Sequence, residues 1–159
     1  MSTIILIQID LHGHPVMAAG KLDDIAQQVC AATALLYRTT GFVPPWVGYL
    51  ARIDNRVVGA CAFKAPPEND KVEIGYFTFP DDEGRGVGTK MVRELLYIVR
   101  AQNPALTVVA QTASEENASN AILRKFGFQR VRSVQDAEGE EMWEWQLNNV
   151  TLALEHKHV

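Results

Sequence analysis

Residues 81–92 read DDEGRGVGTKMV and place Gly84, Gly86 and Gly88 at alternate positions between a strand-like run and a helix-like one. Backbone without Cβ atoms at a helix start lets several N–H groups converge on an anion, and the helix dipole favours negative charge there. The chemistry this suggests is pyrophosphate binding. A Walker loop is excluded, because its glycines need four residues between them and a Lys-Ser/Thr pair after the second. A dinucleotide fingerprint would require G-x-G-x-x-G opening a βαβ unit, whereas G-x-G-x-G here follows what reads as an antiparallel meander. A ligand-free glycine turn remains as the alternative. Glu73, an acid inside the otherwise apolar strand VEIGYFTF, would have a raised pKa if buried and would then suit proton transfer; otherwise it points to solvent from a half-exposed strand. His12 and His14 have chelate-like spacing without a matching Cys, Asp or Glu, so a surface loop is expected and no metal site. Cys30 and Cys61 lie in apolar surroundings without metal-type spacing and read as reduced core cysteines.

The elements around these residues follow from period and punctuation. Residues 3–10 are β-branched and strand-like, ended by Gly13 and Pro15. Leu22, Ile25, Ala26, Val29, Ala32 and Leu36 recur at helical spacing, as one long helix or two short ones, and Pro44 and Pro45 close that section. WVGYLARI and RVVGACAFK form a hairpin about Asp54 and Asn55, a pair suited to positive φ. Residues 71–79 give a third antiparallel strand. The helix VGTKMVRELLYIVRAQ buries Val87, Met91, Leu95, Ile98 and Val99 and turns Lys90, Arg93, Glu94 and Arg100 to water. ALTVVAQT is a strand, NASNAILRKFG a short helix with Gly127 at its C-terminal cap, and FQRVRSVQ and EEMWEWQL a closing strand pair. Trp143 and Trp145 share a strand face as core or as a dimer contact. Residues 148–159 show no decisive period.

With 159 residues, 47% hydrophobic and 21% charged, the chain suits one globular domain with a real core. The net charge of −4 and scattered basic residues argue against nucleic acid. No apolar run approaches the roughly 18 residues of a membrane span, and no secretory leader is evident, so a cytoplasmic protein that avoids membranes is expected.

Residues 115–128, EENASNAILRKFGF, resemble the closing motif of the GCN5-related N-acetyltransferase (GNAT) superfamily, in the branch of ribosomal-protein alanine acetyltransferases. Asn117, Ala118, Ser119, Leu123, Lys125, Gly127 and Phe128 match N-A-S-x-x-x-L-x-K-x-G-F. Residues 83–88 are similar to the family's Q/R-x-x-G-x-G/A, with Glu83 where the family has Gln or Arg, and VEIGYFTFP is similar to its fourth strand. The resemblance covers about residues 46–147. It implies a mixed, mostly antiparallel twisted α/β sheet with helices on both faces. Residues 1–45 would form the acceptor side, 46–147 the CoA-binding core and 148–159 a tail.

What the resemblance further implies is acetyl-CoA as co-substrate. Gly84, Arg85, Gly86, Val87, Gly88 and Thr89 would hold the pyrophosphate. The pantetheine arm would pair like a strand beside Phe77, Thr78 and Phe79, where the fourth and fifth strands splay apart and a main-chain N–H can meet the carbonyl oxyanion. Glu73 would take the proton of a primary amine. Ser119 could hydrogen-bond the CoA sulfur and Asn117 the pantetheine amides, while helix N-capping is the other reading for both. Many relatives carry a tyrosine acid in the last helix, and NASNAILRKF has none. Arg124 and Lys125 read as a solvated helix face. Trp46 is the expected acceptor-pocket residue, ahead of Tyr49, and Tyr76 is expected to pack under a helix. The acceptor would be a small-molecule amine or a protein N-terminus, with a homodimer possible. A non-catalytic acyl-CoA-binding module of the same fold is the alternative function.

Overall fold

The computed structural model describes residues 3–155. Along the chain, β1 (Ile4–Gln8) leads to α1 (Asp24–Thr40), β2 (Gly48–Ile53), β3 (Arg56–Phe63) and β4 (Lys71–Thr78). A 3-10 turn at Pro80–Asp82 precedes α2 (Val87–Gln102), β5 (Thr107–Ala113), α3 (Ala118–Lys125), β6 (Gln129–Gln135), β7 (Glu141–Leu147) and α4 (Val150–Glu155). The strands form a mixed, mostly antiparallel sheet in the order β1-β2-β3-β4-β5-β7-β6. The tail read as aperiodic contains α4, and residues 156–159 lie outside the described residues. Two compact units divide the chain: one runs up to residue 66 and takes in 75–95, the other comprises 67–74 and the chain from 96 on.

In the first unit, β1–β2 and β2–β3 are antiparallel ladders, the second with a bulge at Ala51/Arg52. Asp54 alone takes positive φ in the β2–β3 turn, at 54°, so Asn55 does not share it. α1 is a single helix, started by the Asp23 carboxylate accepting from the Ala26 N–H at 2.8 Å and ended where Gly41 turns left-handed at φ 79°. Its first half packs Ala26 and Cys30 against Ile7, Ile9, Leu50, Ala60 and Phe79. Its second half departs from the expected period: Tyr37 is buried, whereas Ala32 and Leu36 stay exposed. The Tyr37 hydroxyl donates to the Ile9 carbonyl at 2.8 Å and accepts from the Gly48 N–H at 2.9 Å, tying α1 to the ends of β1 and β2. Gly48 is needed for that approach, since a Cβ there would lie 2.7 Å from Thr33 Cγ2. Gly59 meets Met91 of α2, and the adjacent Ala60 meets the α1 cluster. Successive strand residues face opposite ways, so the two helices cover opposite faces of β3.

α2 buries Val87, Met91, Val92, Leu95, Leu96 and Val99. Ile98 is only half-buried, and Glu94 is half-buried rather than facing water. In the second unit, the first half of β4 has β5 as its neighbour. Its residues 71–74 pair in parallel with Thr107, Val108, Val109 and Ala110 of β5, and the ladder ends there. β7 then lies antiparallel between β5 and β6. Gly127, at φ 87°, ends α3 as the motif predicts, with its N–H on the Arg124 carbonyl and that of Phe128 on Leu123.

Candidate active site

Gly84 and Gly86 have φ of 78° and 76°, the left-handed region that only glycine enters without strain. A Cβ built on either would meet nothing within 4 Å. The two glycines therefore set backbone direction, and the space above them stays open. Gly88 is different: it is buried, without positive φ, in the first turn of α2. The helix ladder opens with the Lys90 N–H on the Gly86 carbonyl at 3.1 Å, so the amides of Val87, Gly88 and Thr89 stand ahead of it. Donors without helical acceptors, behind an uncovered glycine turn, fit an anionic diphosphate. Arg85 is exposed beside them.

The acids ahead of this loop are partly neutralised. Asp82, only 3% exposed, turns inward and pairs with Arg56 at 3.0 Å, while Asp81 and Glu83 face solvent. The residue spacing gave no sign of this, because Arg56 lies on a strand far away in sequence.

Of the strand residues assigned to the pantetheine arm, Phe79 plays another part. Its side chain is buried, and its N–H donates to the Val58 carbonyl at 2.9 Å, so it anchors the segment and offers no donor. Phe77 is 49% exposed, with its ring 5.6 Å from that of Phe79. Backbone N–H groups alternate along a strand, which turns the half-buried Thr78's N–H to the edge opposite that of Phe79. Glu73 sits half-buried between the buried Val72 and Ile74, at the register position of Val109.

Asn117 is the N-cap of α3, its side chain accepting from the Asn120 N–H at 3.0 Å. The capping reading thus holds for Asn117 and not for Ser119, which lies half-buried within the first turn. Sequence reasoning missed what holds this turn. The fully buried Asn120 donates to the Glu115 carbonyl and accepts from the Thr112 hydroxyl, which accepts from Trp145 Nε1 at 2.9 Å. Trp145 is therefore core, and Trp143 lies under the Arg130 guanidinium at 4.1 Å. Arg124 is held by Glu116 in a two-pronged ion pair and stacks over Trp145 at 5.2 Å. Lys125 is exposed.

The first unit contains a cleft of about 320 Å³. Val29, Ala32, Thr33 and Leu36, at successive α1 turns, form one side, which explains why Ala32 and Leu36 are not core. Ala60, Ala62, Gly75 and Phe77 face them, and Lys64 is the one charged residue lining it. Tyr76, half-buried, also lines this cleft. Trp46 does not line it but packs edge-on against Phe63, with centroids 4.9 Å apart; Tyr49 lines it instead, and its hydroxyl donates to the Pro45 carbonyl at 2.6 Å. Cys61 is also at the cleft, but burial, and then the nearby Glu94, push its thiol pKa far up. It is a neutral thiol rather than a nucleophile.

At the β1–α1 connection, the backbone N–H groups of His12 and His14 both donate to Asp10 Oδ1 at 2.9 Å. These bonds, that from His14 first, lower the Asp10 pKa. The acid shapes a turn, and among the described residues no group of three or more His, Cys, Asp and Glu is arranged to hold a metal ion.

Residues 15–129 match the family model described as the acetyltransferase (GNAT) domain, which is most of the chain. The protein belongs to the GNAT acetyltransferase family. None of the curated proteins matches its sequence. Among solved structures, it is similar to RimL, a ribosomal L7/L12 alpha-N-protein acetyltransferase, in complex with coenzyme A: TM-score 0.67, 18% identity, covering 93% of this chain and 95% of that one. The Salmonella typhimurium acetyl transferase that modifies the N-terminal serine of L7/L12 gives TM-score 0.66 at 17% identity, over 92% and 95% of the chains. The microcin C7 self-immunity acetyltransferase MccE, in complex with acetyl-CoA and AMP, gives TM-score 0.62 at 15% identity, over 78% and 70%. At these identities the likeness is one of fold.

Proposed function

We propose that the protein transfers the acetyl group of acetyl-CoA directly to a primary amine. The observation that carries this reading is the open turn of Gly84 and Gly86 feeding the free amides at the start of α2, in a chain of this family. Relatives of the same fold bind CoA or acetyl-CoA in their solved structures.

In this reading, residues 84–89 hold the pyrophosphate through main-chain donors, with Arg85 adding charge at the rim. The pantetheine arm runs beside Phe77 and Thr78, and the Thr78 N–H is the donor to the carbonyl oxyanion, since that of Phe79 is committed to Val58. Acetyl-CoA supplies an activated thioester. The acceptor brings the amine, and the chain must take up the proton that its nitrogen loses. Glu73 takes that proton, directly or through water, and Ser119 contacts the departing sulfur. Direct transfer is favoured because the thiol at the cleft, Cys61, is kept protonated.

One feature favours a non-catalytic acyl-CoA-binding module instead: α3 contains no tyrosine to protonate the thiolate. Thiol release from acetyl-CoA across a panel of amines, amino acids and N-terminal peptides separates the two. Glu73→Gln should lower kcat by about 100-fold or more, within the range of general-base contributions, while acetyl-CoA binding stays intact. Unchanged turnover in that variant would remove Glu73 as the base, and silence of the wild type across the panel with acetyl-CoA bound would favour the binding module.

A further inference from the structure

The cleft between α1 and the strands of the first unit differs in the sign of its charge from the whole chain. The protein carries a net charge of −4, which by itself suggests cationic amines. The described residues lining the cleft include no acid and one cation, Lys64. Val29, Leu36 and Phe77 present hydrocarbon beside Ala60 and Ala62, and the hydroxyl-bearing lining residues are Tyr76, Thr33 and Tyr49, the last two donating to the Val29 and Pro45 carbonyls. Alternation along β3 places Lys64 on the face of Ala60 and Ala62, one step beyond the end of the strand.

Lys64 lies against a glycine. A Cβ on Gly75 would lie 2.6 Å from Lys64 Cε and 3.2 Å from its Nζ, so the lysine stem lies across the bare backbone of β4. Gly75 has no positive φ that would otherwise require glycine, and glycine within a strand marks a close approach by another group. Among the described residues Lys64 makes no ion pair. An unpaired ammonium held at the edge of a small apolar cleft is a counter-charge for a ligand.

We infer that the acceptor is a small apolar primary amine that also carries an acidic group, of the kind an aliphatic amino acid presents, with Lys64 binding the acid and the α1 wall its side chain. This assignment rests on the acetyltransferase reading. A volume of about 320 Å³ suits one such residue and not a folded surface. Polyamines and aminoglycosides, whose several cations would face Lys64 without an acidic partner, are disfavoured.

The test reads binding separately from turnover. N-acetyl-leucine and N-acetyl-leucinamide, which differ at the acid alone, are titrated into the protein with and without CoA. The acid should bind about tenfold tighter, the size of a charge-assisted hydrogen bond. Lys64→Glu, a change at an exposed position, should reverse the order, and Gly75→Ala, which displaces the lysine and keeps its charge, should weaken the acid only. Equal binding of the pair, binding of neither, or a preference that survives Lys64→Glu would overturn the proposal. In a thiol-release assay, leucine should outperform both leucinamide and leucyl-aspartate; preference for the dipeptide would overturn the small-molecule assignment in favour of a peptide N-terminus. Loss of thiol release with the binding preference intact would count against the acetyltransferase reading alone.

Discussion

Single residues in this protein are governed by what surrounds them more than by their type. Glu94 looks like a solvent-facing helix acid, yet burial raises its pKa, opposed by Arg93. A carboxyl whose folded pKa lies above its unfolded value binds protons more tightly in the native state. Its stabilising contribution is full below the unfolded value and is lost as pH rises through the folded one. Glu94→Gln should therefore be more stable than the wild type at pH 7, by about 1–2 °C in Tm, and the gap should close below about pH 4. Thermal melts at both pH values check the sign; a variant less stable at pH 7 would show that the Glu94 carboxylate is favourably paired. The same dependence on surroundings explains what the sequence hid. Asp82, Lys64 and Tyr49 owe their roles to Arg56, Gly75 and Pro45, and those pairings exist only once the strands are in register.

At the scale of elements, the sequence was more legible. The 3.6 period and the cap residues placed α2 and α3 to within a residue or two, because those helices carry a strong apolar stripe and clear ends. The second half of α1 misled: its stripe at Ala32 and Leu36 is apolar because it faces a cleft, and periodicity cannot distinguish a ligand from a core. The parallel pairing of β4 with β5 was also not visible, since pairing direction depends on the return of the chain through α2 and leaves no local mark. The start of α3 is held by two different devices, a solvent-side cap at Asn117 and a buried chain through Asn120, Thr112 and Trp145. Asn117→Ala should cost about 1 kcal/mol. Asn120→Leu, which strands the Glu115 carbonyl and leaves the Thr112 hydroxyl without its acceptor, should cost about 2–3 kcal/mol or more. Urea denaturation of both variants checks the order; a larger loss at Asn117 would mean that the buried chain is not what fixes this turn.

For the whole molecule, the family model and the order of elements agree, and they make the glycine turn the functional centre of the account. The turn also permits a direct test. Because a Cβ at Gly86 meets nothing, a large side chain there should fill the open space above the turn while leaving the fold in place, at a backbone cost of about 1–2 kcal/mol for left-handed φ. The decisive measurement is calorimetric titration of acetyl-CoA into the wild type and into Gly86→Trp, with ATP and NAD as comparison ligands and a thermal melt confirming that the variant is folded. Saturable heat with acetyl-CoA is expected for the wild type, with weaker binding of ATP and NAD and loss of acetyl-CoA binding in the folded variant. No heat from the wild type, tighter binding of either comparison ligand, or undiminished binding in Gly86→Trp would contradict this role of the turn.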